Sequence, residues 1–240
     1  MDASRPVLTS ASITRSSVPD QVFARLREAI LTGAYRPGER LPPQRALAGD
    51  LGVNMSSVRE ALGRLEQLRL IEVRHGDGTR VLDWRRSGGL EALVLGAGAA
   101  GIGGADAALI GDLFEARRLL LVEAARLAAE RHNPEQAAAL VELAEAVASA
   151  ADDSTALLAD WAFMAALVEA AQNVVFQLIL NSVRELYLPH AEAFAPLVAQ
   201  RGELAELYRR AAVAVSDGDG DGAASAIGAL ADAQAALMLA

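Results

Sequence analysis

The sequence predicts a mainly helical protein: an amino-terminal winged helix-turn-helix, which adds a small β-hairpin to its helices, and a carboxyl-terminal all-α helical bundle. Between residues 41 and 82, two short helical patterns precede an alternating hairpin pattern. Beyond residue 105 Ala, Leu, Glu and Arg dominate, and no strand pattern is visible. A glycine-rich stretch separates the two parts. We therefore expect a flexible tail at 1–16, the winged domain at 17–82, a linker at 83–104 and the helical domain at 105–240.

The first predicted helix runs from about Pro19 to Thr32, and Gly33 ends it. Its inward positions recur at helical spacing and are Val22, Leu26, Ala29 and Ile30. The segment 35–40 then carries the chain to the helix-turn-helix pattern.

The next two helices are separated by a tight turn. Pro42 and Pro43 open the first of them, because proline is tolerated in a first helical turn. Gly52 suits the turn, since glycine adopts the left-handed backbone that ends a helix, and Asn54 suits the cap of the second helix. In that second helix we expect an inward face of Val58, Leu62, Leu65 and Leu68, and an exposed amino-terminal end of Met55, Ser56, Ser57 and Arg59. That end is where a recognition helix contacts base edges.

A hairpin follows the second helix. Residues 71–73 and 79–81 alternate as strands do, and the turn between them contains two glycines. A hairpin of this kind can place its tip, here His75 and Gly76, in a minor groove. By itself the pattern also fits an ordinary surface hairpin with a solvated His75, but the full run of elements favours binding to DNA.

Charge divides along the same boundary. Residues 1–82 hold 12 arginines against 9 carboxylates, a balance of +3, whereas the remainder of the chain has 10 against 22, a balance of −12. Phosphate contacts supply much of the affinity of a DNA-binding protein. The first part therefore suits a nucleic acid, and the acidic second part suits sensing or pairing.

Composition excludes several other classes of protein. With 240 residues and 52% hydrophobic content, the chain is large enough for one or two packed domains. It has no cysteine, so disulfides and thiolate metal sites are impossible. We expect charges to interrupt each apolar stretch before it reaches membrane-spanning length, and the start lacks the layout of an export signal. We therefore expect a cytoplasmic protein with no membrane partner.

The helical half is divided by breaks into about six helices. The breaks lie near Asn133-Pro134, Asp152 to Ser154, Asn173, Pro196 and Asp217 to Gly222. Bundles commonly hold ligands among their inward side chains, so we expect an effector site in the interior. No nucleophile elbow, phosphate-binding loop or zinc helix is present, which indicates that the protein is not an enzyme.

These motifs resemble those of the GntR superfamily of bacterial transcription regulators. The resemblance is carried by Leu41-Pro42 through Arg45, by Val58 to Leu62 and by the His75-Gly76 wing, while the helical half resembles the FCD-type effector domain. Within that family, segments 71–90 and 173–187 are similar to the FadR-like, fatty-acid-responsive regulators. The resemblance implies DNA contacts by Arg45, Asn54, Ser56, Ser57, Arg59, His75 and Gly76.

Two departures from the family pattern concern specificity. Met55 stands where the family usually has an arginine for bidentate reading of guanine, which favours a different operator. Many FCD domains also bind a metal through one aspartate and several histidines. Here Asp160 matches the aspartate, but the histidine positions hold Met164, Tyr208 and Leu230, so we expect no metal site and no cofactor.

The loss of imidazoles makes the predicted effector cavity apolar, which favours a fatty acyl chain. The resemblance to metal-free FadR-like regulators implies long-chain fatty acyl-CoA as the effector. We expect the ligand near Arg117, Phe163, Met164, Tyr187, Phe194, Tyr208 and Leu230, although apolar residues at helical spacing are most often simply core.

The sequence thus predicts a homodimeric repressor that binds a palindromic operator in double-stranded DNA and is released by fatty acyl-CoA. Two alternatives stay open. One is a GntR regulator that responds to a small organic acid, with or without a metal. The other is a ligand-independent architectural protein, whose bundle would have no cavity.

Overall fold

The computed structural model describes residues 17–74, 76–90 and 107–239. These residues belong to two compact units, which divide between Gly89 and Leu90. The expected tail at 1–16 and most of the expected linker at 83–104 lie outside the described residues, so both stay predictions.

The amino-terminal unit contains four described helices and one two-stranded antiparallel sheet. These are α1 (Val18–Leu31), α2 (Gln44–Leu51), α3 (Met55–Gln67), β1 (Ile71–Arg74), β2 (Gly78–Val81) and α4 (Trp84–Ser87). The carboxyl-terminal unit is helical throughout its described part. Its helices are α5 (Ala107–Arg131), α6 (Pro134–Ala148), α7 (Asp153–Ala170), α8 (Val174–Tyr187), a 3-10 helix (Leu188–Val198), α9 (Arg201–Ser216) and α10 (Gly220–Leu239).

Helix α1 begins with a capping box. The Ser17 hydroxyl accepts from the backbone amide of Asp20, and the Asp20 carboxylate accepts from the backbone amide of Ser17. The helix buries Val22, Leu26 and Ile30 as expected, and also Phe23, which sequence analysis did not select. Ala29 is only half-buried, because it lies at the edge of this inward face.

The helix-turn-helix follows the sequence prediction closely. Gly52 ends α2 with φ of 66°, the left-handed conformation that glycine adopts without a steric penalty. Asn54 caps α3 through its side-chain oxygen, which accepts from the backbone amide of Ser57 at 2.8 Å. Val58, Leu62 and Leu65 form the buried face of α3, whereas Leu68 follows the helix and is only half-buried.

The wing is an antiparallel hairpin in which Ile71 is opposite Val81 and Arg74 is opposite Gly78. Ile71 and Val81 are both buried, and they attach the hairpin to the core of the unit. A separate bridge pairs Arg40 with Arg80 on β2, so the segment that precedes α2 lies beside the wing.

The helical unit has two buried apolar clusters. The larger one includes residues of α5, α6, α7, α9 and α10, and Ala124, Leu140 and Ile227 are completely buried in it. The second cluster combines the start of α5 and of α7 with the 3-10 helix, and includes Phe114, Leu157 and Leu197. Small alanines allow these helices to approach closely, which explains why the unit packs well with few aromatic residues.

Helix α10 contradicts the expectation that charges interrupt every apolar stretch. Among the described residues, this helix is long and apolar enough to span a membrane. The helix packs against α5 and α9 and buries Ile227 and Leu230 completely. Its Asp232 pairs with Arg118 of α5 at 2.6 Å. Its composition is therefore that of a core helix.

Candidate functional site

The amino-terminal end of α3 is exposed and polar. Asn54 uses its side-chain oxygen as the helix cap, and the same oxygen accepts from the Ser56 hydroxyl at 2.7 Å. Met55 is 42% exposed on the same turn. A cap and an exposed first turn present unpaired backbone amides toward an approaching anion, which suits a DNA phosphate.

Ser57 differs from its neighbours. It is buried, with 5% exposure, so the expectation that it lies on the exposed end of α3 is wrong. Its position in the first turn places it on the inward face that continues through Val58 and Ala61.

Arg45 on α2 and Arg59 on α3 are both exposed. Within the described part of the chain neither makes an ion pair. Arg64 and Arg74 differ, because Arg64 contacts Asp20 at 2.7 Å and Arg74 contacts Glu72 at 2.9 Å. Arg45 and Arg59 therefore keep their guanidinium groups available for phosphates or base edges.

The turn of the wing contains a charge cluster. Gly76 and Gly78 have positive φ values of 80° and 86°, so the turn depends on glycine at both positions. Asp77, between them, accepts from Arg40 through one oxygen and from Arg80 through the other, the latter at 2.9 Å. His75 lies outside the described residues, and its expected minor-groove role stays a prediction.

The helical unit contains a cavity of about 280 Å³ between its two apolar clusters. Its wall is almost entirely apolar. Helix α8 contributes one whole face, formed by Phe176, Ile179, Leu180, Val183 and Tyr187. A cavity of this volume lies just below the usual range for small-molecule sites, about 300 to 1,000 Å³.

Four of the seven predicted effector residues line this cavity, namely Arg117, Met164, Tyr187 and Phe194. The other three, Phe163, Tyr208 and Leu230, do not line it, so the expectation that they border this cavity is wrong. All three are completely buried in the larger apolar cluster. Phe163 and Tyr208 contact each other edge to face, with ring centroids 5.1 Å apart, so they fill space that the prediction assigned to ligand.

A buried polar cluster lies at the end of this cavity. The Tyr208 hydroxyl donates to Oδ1 of Asp160 at 2.6 Å, and Nε2 of Gln234 donates to the same oxygen at 3.0 Å. The Tyr187 hydroxyl donates to Oδ2 at 3.3 Å. Burial first, and the Asp160 carboxylate second, raise the pKa of both tyrosine hydroxyls above the ordinary value, so both stay protonated as donors.

Gln234 also connects the cluster to Arg117. Its Oε1 accepts from Nη2 of Arg117 at 2.8 Å, while its Nε2 donates to Asp160. The Gln234 amide therefore bridges the Arg117 cation and the Asp160 anion through hydrogen bonds, although these two charged groups do not contact each other directly. Nη1 of Arg117 is shielded from solvent and has no hydrogen-bond partner within the described residues.

The residues around Asp160 do not fit a metal. Its oxygens accept from two tyrosine hydroxyls and one amide, and its neighbours at the expected histidine positions are Met164, Tyr208 and Leu230. No group of three or more His, Cys, Asp or Glu side chains within the described segments is arranged to hold a metal ion. Zinc in proteins is usually held by three or four imidazole, thiolate or carboxylate ligands, and this site offers a single carboxylate.

Apart from Tyr187, sequence analysis missed the inner face of α8 as part of the cavity wall, and it missed Gln234 as part of the buried polar cluster. The spacing of Phe176, Ile179, Val183 and Tyr187 along α8 is the helical spacing of one face, so the signal was present. Gln234 gave a different signal, because it is an uncharged polar residue within an otherwise apolar helix. A polar residue in such a position must find partners inside the protein.

Comparison with known proteins agrees with this architecture. Residues 19–81 match the family of bacterial regulatory proteins called the gntR family, and residues 112–233 match the FCD domain. The chain is 36% identical over 205 residues to the HTH-type transcriptional regulator Mce2R of Mycobacterium tuberculosis, covering 85% of this chain and 84% of that relative.

Two further comparisons are more distant. The fatty acid metabolism regulator protein of Yersinia pestis is 31% identical over 164 residues, covering 67% of this chain and 65% of that relative. The structure of Lar from Listeria monocytogenes is 17% identical with a TM-score of 0.61, covering 94% of this chain and 98% of that one, which supports the fold.

The protein belongs to the GntR family of bacterial transcription regulators and carries an FCD-type effector domain. Its relatives are transcription regulators and not enzymes, as sequence analysis predicted. Proteins of this family bind DNA and small-molecule effectors.

Proposed function

We propose that this regulator represses genes of fatty-acid metabolism and is released from its operator by long-chain fatty acyl-CoA. The observation that carries the proposal is the wall of the cavity, which is almost entirely apolar and whose charged residues are Asp112, Arg117 and Asp160. An acyl chain is stabilised by apolar surface, whereas a small hydroxy acid needs several polar partners. The likeness to a fatty acid metabolism regulator protein supports the same assignment.

The cavity volume bears on how the effector binds. Because it is only about 280 Å³, we place the acyl chain in the cavity and the nucleotide of coenzyme A outside it. We assign Met164, Tyr187 and Phe194 to contacts with the chain, because they line the cavity and belong to three different helices.

At the DNA, we assign phosphate and base contacts to Arg45, Asn54, Ser56 and Arg59 on α2 and α3, and to His75 and Gly76 in the wing. One winged domain covers one half-site, so two copies are needed for a palindromic operator. We therefore propose a homodimer in the cytoplasm. Sedimentation of the full chain tests the dimer, and a single species with the mass of one chain contradicts it.

Release requires that the effector bind more tightly to the arrangement that does not bind DNA. We propose that entry of an acyl chain shifts α5, the helix that carries Arg117, and that the segment around Trp84 transmits the shift to the winged domain.

The decisive experiment is an operator-shift assay. Operator DNA is first selected from random duplexes by the full-length protein, and dodecanoyl-CoA and hexadecanoyl-CoA are then titrated into the complex. We expect release at micromolar concentrations, with coenzyme A alone as the control. Operator affinity that is unchanged by saturating acyl-CoA contradicts the proposal.

One observation favours a second candidate, a small organic acid as the effector. Arg117 carries a positive charge at the cavity wall, which suits a carboxylate. Titration calorimetry with acyl-CoA and with citrate distinguishes the two. Heat from citrate alone, with release of the operator, favours the small acid.

A further inference from the structure

Helix α3, which is described throughout its length, leaves a single apolar side chain exposed. Met55 is 42% exposed, whereas every other apolar residue of the helix is buried, namely Val58, Ala61, Leu62 and Leu65. A lone exposed apolar side chain is common on protein surfaces, so its position is what gives Met55 meaning. Met55 is the first residue of α3, the second helix of the helix-turn-helix, whose amino-terminal end contacts base edges.

The polar residues on either side of Met55 are used by the helix cap. Oδ1 of Asn54 accepts from the backbone amide of Ser57 at 2.8 Å and from the Ser56 hydroxyl at 2.7 Å. Asn54 can then offer DNA a donor, its amide nitrogen, and Ser56 can offer an acceptor, its hydroxyl oxygen. Neither can present the paired donor and acceptor with which an amide recognises adenine. Their hydrogen bonds instead hold the turn from which Met55 extends.

The exposed face around Met55 suits a duplex in charge and shape. Arg59 follows Met55 by four residues, so the two side chains lie on the same face of α3, and Arg59 is exposed. Gly63 is the next residue in this row, and a Cβ built there meets nothing within 4 Å. Glu60 is exposed on the neighbouring row, where its carboxylate would be repelled by phosphates. The row that contains Met55 is therefore the one best suited to lie against DNA.

An apolar side chain finds one kind of apolar group on the base edges of the major groove. All base pairs present hydrogen-bond donors or acceptors there, and thymine adds its C5-methyl group. The Met55 thioether has no hydrogen to donate and is a weak acceptor, so it would displace water from a polar base edge without replacing the lost hydrogen bonds. Contact with a thymine methyl instead removes apolar surface of both partners from water.

We propose that Met55 contacts the C5-methyl group of one thymine in each half-site and so helps to determine the operator sequence. Asn54 and Ser56 are its positioning residues, because their hydrogen bonds hold the turn that carries it. The partner is a duplex with a thymine·adenine pair at this position in both half-sites. This inference rests on the proposed contact between α3 and DNA, and extends it from a surface to a single group on one base.

The test removes the methyl group and nothing else. Operator DNA is selected from random duplexes by the full-length protein, and each thymine is then replaced in turn by deoxyuridine, in both half-sites at once. Fluorescence anisotropy of labelled duplexes gives the dissociation constants. At one thymine position we expect binding to weaken about fourfold per half-site, and thus about fifteenfold for the palindrome. Affinity that is unchanged by deoxyuridine at every position overturns the proposal.

Variants of Met55 test whether its side chain makes the methyl contact. Met55→Ala removes the side chain beyond Cβ, and should bind the thymine and deoxyuridine operators equally within about twofold. Met55→Leu keeps an apolar side chain and should retain the preference for thymine. The matched control is Val18→Ala, which should also retain it, because Val18 is likewise an exposed apolar residue at the first position of a helix. A preference for thymine that persists in Met55→Ala overturns the assignment.

A methylated cytosine separates the methyl group from the rest of thymine. Replacing the thymine·adenine pair by cytosine·guanine should weaken binding by the parent protein. Using 5-methylcytosine instead of cytosine should then recover about fourfold per half-site, because its methyl group lies at the same place in the major groove. Met55→Ala should not distinguish the two cytosine duplexes. If methylation of the cytosine does not change binding by the parent protein, the methyl group is not what is recognised and the proposal fails.

The outcome is separable from that of the proposed function. If acyl-CoA does not release the operator but deoxyuridine weakens binding, the regulatory proposal fails and the role of Met55 stands. If Arg59→Met weakens operator binding but deoxyuridine does not, α3 contacts DNA and the role of Met55 is wrong. Thermal unfolding identifies any variant that does not fold, and the comparison of duplexes with the parent protein needs no variant.

Discussion

The hydroxyl of Tyr208 donates a 2.6 Å hydrogen bond to Oδ1 of Asp160, although the two residues are separated by 48 positions in the chain. The bond joins α9 to α7 inside the apolar core, where both groups are shielded from solvent. It gives Asp160, which is 2% exposed, its shortest described contact. A buried carboxylate needs such partners, so this pair supports the stability of the effector domain as well as the end of the cavity.

Tyr208→Phe tests this contact. The substitution keeps the ring, which packs on Phe163, but leaves Asp160 without its shortest hydrogen bond. We expect the free energy of unfolding to fall by about 1 to 3 kcal/mol, measured by urea denaturation. Tyr187→Phe is the control, because its hydroxyl is 3.3 Å from Asp160 and should matter less. If both variants lose the same free energy of unfolding, the Tyr208 hydrogen bond is not the stronger of the two.

Metal removal should leave the protein unchanged. The Asp160 oxygens accept from hydrogen-bond donors, and Met164, Tyr208 and Leu230 stand where the resemblance to the family implies histidines. Dialysis against EDTA, followed by addition of zinc or nickel, should not move the midpoint of thermal unfolding. A midpoint that rises with zinc concentration would show a site that binds the folded state.

Arg59→Met should weaken operator binding without changing the fold, because Arg59 is exposed on α3 and pairs with no carboxylate within the described residues. If it contacts a phosphate, the slope of log affinity against log salt concentration decreases by about one. Fluorescence anisotropy at several salt concentrations measures both quantities. The control is Arg209→Met, which removes an arginine that pairs with Glu145 in the effector domain. Loss of affinity in the control as well would show a general charge effect.

Asn54→Ala should destabilise the winged domain by about 1 kcal/mol, because the side chain caps α3. Ser56→Ala removes a hydroxyl that only donates to the same Asn54 oxygen, and serves as the matched control with a smaller effect. Denaturation followed by circular dichroism gives the stability change. If both variants have the same free energy of unfolding as the parent protein, the Asn54 cap does not contribute to stability.

Acid should weaken the amino-terminal domain through Asp20. The Ser17 hydrogen bonds, and then Arg64, lower the pKa of Asp20 from 3.8 to about 2. A depressed carboxyl pKa stabilises the folded state above the unfolded pKa, and that contribution disappears as the pH falls from 3.8 toward 2. The difference in unfolding midpoint between the parent and Asp20→Asn proteins should therefore be present at pH 6 and vanish near pH 2. A difference that is independent of pH would contradict this origin.

Local signals in the sequence predicted the winged domain well. Gly52, Asn54 and the glycines of the hairpin each determine the backbone conformation of the few residues around them. The turns and the helix cap that they form can therefore be predicted without knowledge of tertiary contacts. The prediction that Ser57 is exposed was wrong because exposed and buried positions lie within the same turn of the helix. Which of them is buried depends on the neighbouring elements that pack against α3.

The cavity could be predicted only in outline. Helical spacing identifies apolar faces, but it does not reveal which two faces leave a gap between them. Phe163 and Leu230 lie on faces that close completely, whereas the inner face of α8 borders open space. The relay through Gln234 joins α5, α7, α9 and α10, and such a contact between distant segments leaves no periodic trace in one sequence.

The Asp77 carboxylate in the turn of the wing accepts from both Arg40 and Arg80, and this affects how strongly DNA binding depends on salt concentration. It acts as a tethered counterion, since the protein itself supplies the negative charge that dissolved anions would otherwise provide. A DNA phosphate that reaches these two arginines displaces a carboxylate that cannot diffuse away. The number of ions set free on complex formation is then smaller than the number of arginines in the winged domain suggests.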